Sequence, residues 1–72
     1  YHTTIIILLL RNALDVARAP HLAFSVDHSI LKLLHEFLQH YYLTVARNDH
    51  ENHQVMTKAE ERVASALAYH QT

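Results

Sequence analysis

Glycine is absent from the 72 residues of the chain, and the single proline is Pro20. Tight hairpins between strands need residues that accept a positive φ, and glycine does so at the least steric cost. A sheet connected by such turns is therefore hard to build from this sequence. Long helices joined by polar segments are the alternative, and the chain is predicted to be all-α.

The first helix is predicted over residues 4–18. Apolar residues recur there at helical spacing, at Ile6, Leu9, Leu10, Ala13, Leu14 and Ala17. Further apolar side chains lie on its other sides, so this helix needs cover nearly all round. The run from Ile5 to Leu10 also fits a strand, and that alternative stays open. Pro20 is expected to end the segment, because it disfavours helix at Ala19 and cannot donate to the helical ladder.

The second helix is predicted over residues 27–46 and is strongly amphipathic. Ser25 or Asp27 can cap its N-terminus by accepting a hydrogen bond from a free backbone amide. About half of its circumference is apolar, with Ile30, Leu31, Leu34, Phe37, Leu38, Tyr41, Tyr42 and Val45. The opposite side is predicted to face water and carries Ser29, Lys32, Glu36 and Gln39.

Residues 47–54 contain no apolar side chain and predict a loop. The third helix is predicted over residues 57–71, opened by a capping box in which Thr57 and Glu60 satisfy each other's end amides. Its apolar stripe is narrow and built mainly of small residues, Met56, Ala59, Val63, Ala66 and Leu67. Small side chains let a neighbouring helix approach closely. The three segments together predict one helical domain over residues 1–72.

Half of the residues are hydrophobic and only 18% are charged, which is typical of a folded chain. A chain of this length rarely hides so much apolar surface by itself. We therefore expect a three-helix unit that forms part of a four-helix-type bundle or a helical dimer. Its partner is expected to be a second copy or another protein chain or domain.

Composition also argues against several classes of function. The formal net charge of −1 offers no basic face for nucleic acid. The longest apolar run, Ile5 to Leu10, is far shorter than the roughly 20 residues that cross a bilayer. No signal peptide is recognised, and a cytoplasmic location is expected. Because cysteine is absent, disulfides and thiolate metal sites are excluded.

Histidine is unusually frequent, with eight residues. Metal sites in helical bundles use side chains that project inward from facing helices. His70 follows Leu67 by three residues and lies on the apolar face of the third helix, which predicts an inward side chain. His28 and His35 share one side of the second helix, at the edge of its apolar arc. Each of the three is a candidate metal ligand, and each can instead be a packing or solvated residue.

The remaining histidines and the serines give weaker evidence for a functional site. His40 is expected on the polar side of the second helix, and a solvated loop is expected to hold His50, Glu51 and His53. A hydrolase would need a nucleophile beside a base and an oxyanion loop. The serines have neither a glycine-rich loop nor a convincing inward acid, so the chain is not expected to be an enzyme.

The sequence DHSILKLLHEF at residues 27–37 resembles the opening of hemerythrin-like (HHE) cation-binding domains, in which Asp-His precedes an amphipathic helix. The second helix of that family carries an apolar residue, a leucine and then a histidine, and Val63, Leu67 and His70 are similar. In the family both histidines are iron ligands in a four-helix bundle, and further histidines and carboxylates complete a di-iron site. The resemblance therefore implies that His28 and His70 bind iron.

Two functions follow as expectations. The first is a helical metal-binding half-bundle, with His35 as an optional third ligand, that could bind iron and oxygen once a partner supplies the remaining ligands. Alternatively, the sequence is part of a longer chain. The second function is a helical protein–protein interaction or oligomerisation module without metal. A histone-fold-like arrangement, with a long central helix, is one form of that module.

Overall fold

The structure is a computed structural model that describes residues 3–44 and 50–70. Four helical segments make up almost all of these residues. Side chains are described for residues 3–43 and 53–70. The segments are α1 (Thr3–Arg18), a 3-10 helix (Pro20–Ser25), α2 (His28–Thr44) and α3 (His50–His70). No strand occurs in these ranges, so the predicted all-α class is confirmed.

α1 agrees with its predicted bounds to within a residue, and the strand alternative for Ile5 to Leu10 is wrong. The helix ends as proline requires: Ala19 has extended backbone angles, φ −132° and ψ 91°, and Pro20 opens the 3-10 helix. The amide of Ala19 still donates to the Asp15 carbonyl at 2.9 Å and closes the last turn of α1. The 3-10 helix itself was not predicted.

Asp27, rather than Ser25, caps α2. Its carboxylate Oδ1 accepts a hydrogen bond from the Ser29 amide at 2.9 Å, and its carbonyl accepts one from the Leu31 amide at 2.8 Å. Ser25 instead ends the 3-10 helix. The predicted polar side of α2 is exposed throughout, as expected, and the predicted end of this helix at residue 46 lies outside the described residues.

α3 spans His50–His70, so residues 50–54 of the predicted loop are helical and the capping box at Thr57 is wrong. Residues 47–49 of that loop lie outside the described residues. Thr57 lies two turns inside the helix, where its hydroxyl donates to the His53 carbonyl at 2.7 Å. That hydroxyl has one proton, so the hydrogen bond with the Tyr42 hydroxyl must be donated by Tyr42. The Tyr42 ring also packs edge to face on the His53 ring, with centroids 4.6 Å apart. These contacts with α2 stabilise the first turns of α3, whose polar residues do not by themselves favour a helix.

α2 and α3 run antiparallel along their length. Contacts at three successive levels establish this, joining Tyr42 with Thr57, His35 with Glu60, and His28 with His70. Small residues line the close approaches: Ala13 of α1 and Ala59 of α3 are fully buried. Larger side chains fill the space between the helices, and the best buried are Leu9, Val16, Leu31, Leu34, Leu38, Met56 and Val63.

A side-chain hydrogen bond joins the end of α1 to α3. The guanidinium Nη1 of Arg62 donates to the carbonyl of Ala17 and lies 3.5 Å from that of Val16. The last carbonyls of a helix have no partner within it. Arg62, which is more than forty residues away in the sequence, therefore caps α1 through the tertiary structure.

The core does not cover all of the apolar surface. Several large apolar side chains of the described residues remain in contact with solvent, namely Ile5, Ile7, Leu8, Leu14, Leu22, Phe24, Ile30, Leu43 and Tyr69. Four of them belong to α1, the helix predicted to need cover nearly all round. No helix among the described residues is long and apolar enough to cross a membrane.

Candidate functional site

His28 and His70 meet at one end of the molecule. His28 is the first residue of α2 and His70 is the last residue of α3. Because the two helices run antiparallel, these ends lie side by side. The imidazole rings are 5.6 Å apart between centroids, with 76° between their planes. The sequence singled out this pair, and the structure brings it together.

The separation of the rings suits a shared metal ion. Metal–nitrogen bonds of about 2.0–2.1 Å at a tetrahedral angle place the centres of two imidazoles about 5 Å apart. The observed 5.6 Å is close to this value.

The predicted inward orientation of His70 is wrong. Both His28 and His70 are exposed. His70 continues the apolar stripe of α3, but it is the last residue of that helix and lies beside the first residue of α2. The histidine therefore lies at the open end of the bundle rather than in its core. An exposed pair is accessible both to an ion and to the surface of another molecule.

Two aromatic rings extend this cluster. Phe24, from the 3-10 helix, contacts Tyr69 edge to face with centroids 5.4 Å apart. Tyr69 in turn contacts His70 at 5.9 Å. Sequence reasoning missed both residues, because the 3-10 helix that positions Phe24 was not predicted. The signal that was present is Tyr69 itself, an aromatic residue next to a candidate ligand.

The local electrostatics accommodate a cation. The C-terminus of α3 carries a partial negative charge, which favours positive charge beside His70. The N-terminus of α2 has the opposite sign, but the Asp27 carboxylate occupies it as the cap. The Asp27 carboxylate therefore lies next to His28 in the sequence.

A third ligand is missing from the described part of the chain. No group of three histidine, cysteine, aspartate or glutamate side chains there is arranged to hold a metal ion. Two imidazoles would fill two of the four positions around a tetrahedral metal ion. Two positions on the ion would remain open to groups from elsewhere.

His35, the optional third ligand, lies apart from this pair. It is two helical turns from His28, which is about 10 Å along α2. Its Nε2 lies 3.4 Å from the Glu60 carboxylate of α3, and both side chains are partly exposed. The structure thus gives His35 a contact between helices and does not bring it to His28 and His70.

The remaining histidines lie elsewhere. His40 is exposed on α2, on the polar side where it was predicted. His53, predicted as a solvated loop residue, is instead part of α3 and packs against Tyr42. The side chains of His50 and Glu51 lie outside the described residues. No protein-family model, curated protein or solved structure matches the chain.

Proposed function

We propose that this chain is a helical half-bundle that binds a divalent transition-metal ion through His28 and His70, with the other ligands supplied by a partner. The observation that carries the proposal is the 5.6 Å approach of two imidazoles, one at the N-terminus of α2 and one at the C-terminus of α3. Both are exposed, so an ion can enter without unfolding the core.

The donor set narrows the choice of metal. Neutral imidazole suits zinc, copper, iron and nickel, whereas calcium and magnesium prefer oxygen ligands. The resemblance to hemerythrin-like domains favours iron, and oxygen binding would require a position on the ion that the partner leaves open. The ligand pair alone does not select iron over zinc, so the proposal covers both metals.

Thermal melting with added metal tests the proposal. Zinc, or ferrous iron kept anaerobic, should stabilise the protein, because an ion that binds only the folded state adds about 2.7 kcal/mol at a hundred times its Kd. For a domain of this size the melting temperature should rise by about 10–20 °C. No rise with either metal would refute the proposal.

Single-histidine variants locate the binding site. His28→Ala and His70→Ala should each abolish the stabilisation by metal. His40→Ala is the matched control, because it removes an exposed histidine of α2 away from the pair. His35→Ala should also keep the response; if it loses the response, His35 is a ligand after all.

A second function has its own support. On α1, Ile7 and Leu14 lie seven residues apart and are 61% and 37% exposed, whereas Leu10 between them packs partly against the core. Such a stripe is typical of a helix that pairs with another helix. A metal-independent association module would show a melting temperature that rises with protein concentration in the presence of a chelator. Ile7→Lys should remove that dependence, whereas Arg11→Gln, on the same exposed side, should preserve it.

A further inference from the structure

We propose that a second copy of this chain completes the metal site, with His28 and His70 of both copies surrounding one ion on a two-fold axis. This inference rests on the proposed function and adds the partner, the stoichiometry and the coordination geometry. It predicts a dimer that forms only when metal is bound.

Ligand number is the first argument. The described residues offer two imidazoles and no third ligand beside them. A two-fold axis through the ion doubles the set to four, which is the coordination number that zinc adopts at closed sites. Two-fold dimers are the commonest oligomers, and any patch on the axis meets its own copy. One symmetric contact therefore converts the half-site into a complete one.

Position is the second argument. The pair lies at the open end of the bundle, where α2 begins and α3 ends, and both side chains are exposed. Because both side chains are exposed, another molecule can reach the rings. Two copies can therefore meet end to end at their histidines without rearranging the core.

The neighbouring apolar surface is the third argument. Phe24 is 50% exposed and Tyr69 is 66% exposed, beside the histidines. Buried aromatic side chains cover about 150–250 Å² each, so these two can add only about 200 Å² per copy. Stable dimers bury about 800 Å² per partner. The rings can pack around the ion, but they are too small to hold a dimer without it.

Charge is the fourth argument. Four neutral imidazoles leave the two positive charges of the ion uncompensated. Each copy also carries the Asp27 carboxylate, which precedes His28 in the sequence and caps α2, so two negative charges accompany the two ends that meet. Without metal, the same contact would bring two negative charges near each other, which further opposes a metal-free dimer.

Sedimentation equilibrium at micromolar protein tests the inference. With a chelator, the chain should sediment at the mass of one copy, 8.4 kDa. Zinc should double that mass, with a break in the titration at one ion for two chains. Cobalt should do the same and give the strong visible absorption of four-coordinate cobalt, since four imidazoles impose a tetrahedral field.

Variants make the result specific. His28→Ala and His70→Ala should remain single copies with zinc, whereas His40→Ala should dimerise like the parent chain. Phe24→Ala should weaken the zinc dimer several-fold while zinc still binds, because it removes packing but no ligand. Far-ultraviolet circular dichroism in chelator checks that each variant keeps its helices.

The possible failures are distinguishable. One zinc per chain at an unchanged mass would overturn the symmetric site and leave the proposed metal-binding function standing. A dimer that forms equally well in chelator would also overturn the inference, since its interface would not depend on the ion. Absence of zinc, cobalt and iron binding would refute both proposals together.

Discussion

Replacement of Arg62 by methionine should destabilise the fold by breaking the hydrogen bond that joins α3 to the end of α1. Methionine keeps an unbranched apolar stem but loses the guanidinium that donates to the Ala17 carbonyl. A hydrogen bond to a charged group contributes about 1.5–3 kcal/mol. Because Arg62 is only half-buried, solvent screening reduces this figure, and we expect a loss of about 1–2 kcal/mol.

Thermal and urea denaturation give the magnitude. For a domain of this size, the expected loss lowers the melting temperature by about 5–15 °C. Hydrogen exchange gives the location, since amides in the last turn of α1, such as those of Val16 and Ala19, should exchange faster. Arg62→Lys should be intermediate, because lysine keeps the charge but not the planar fork.

Arg11→Met is the matched control, because Arg11 is exposed on α1 and no described contact joins it to the end of that helix. It should change the melting temperature by no more than a degree or two. If Arg62→Met melts at the same temperature as Arg11→Met, the guanidinium cap contributes nothing, and our account of how α1 ends is wrong.

Two further substitutions test the contacts of α2. Tyr42→Phe should lower the free energy of unfolding by about 0.5–1.5 kcal/mol in urea titrations, because the hydrogen bond to Thr57 is lost while the ring remains; an unchanged midpoint would contradict this. Asp27→Ala should cost about 1 kcal/mol by removing the cap on the Ser29 amide, and Asp27→Asn should restore most of it because asparagine caps equally well. If both Asp27 variants melt alike and below the parent chain, the carboxylate acts through its charge rather than as a cap.

The sequence predicted most of the helical architecture. The lack of glycine removed the turns that a sheet needs, and the apolar periodicity identified which face of α2 is buried. Leu31, Leu34 and Leu38 all became core residues, because a period of 3.6 places them on one side of the helix. Pro20 marked the end of α1, since its effect on the preceding residue is local and steric.

The first residue of α3 could not be predicted from local sequence. Residues 50–54 are polar and lack any local signal for helix, and Thr57 with Glu60 has the spacing of a capping box. The helix extends through them because Tyr42, on another helix, contacts both His53 and Thr57. Helical stability in proteins comes mostly from such tertiary contacts.

For the candidate site, too, some features follow from the sequence and others only from the tertiary structure. The sequence by itself determined which residues are candidate ligands and that His28 and His35 share one side of α2, because an amino-acid type and a periodicity are local properties. Only the tertiary structure decided that His28 and His70 lie side by side at the open end of the bundle, that His35 pairs with Glu60 instead, and that Phe24 and Tyr69 adjoin the pair. Those contacts depend on the antiparallel register of α2 and α3 and on the position of the 3-10 helix beside them. Both are determined by the packing of all the helices together.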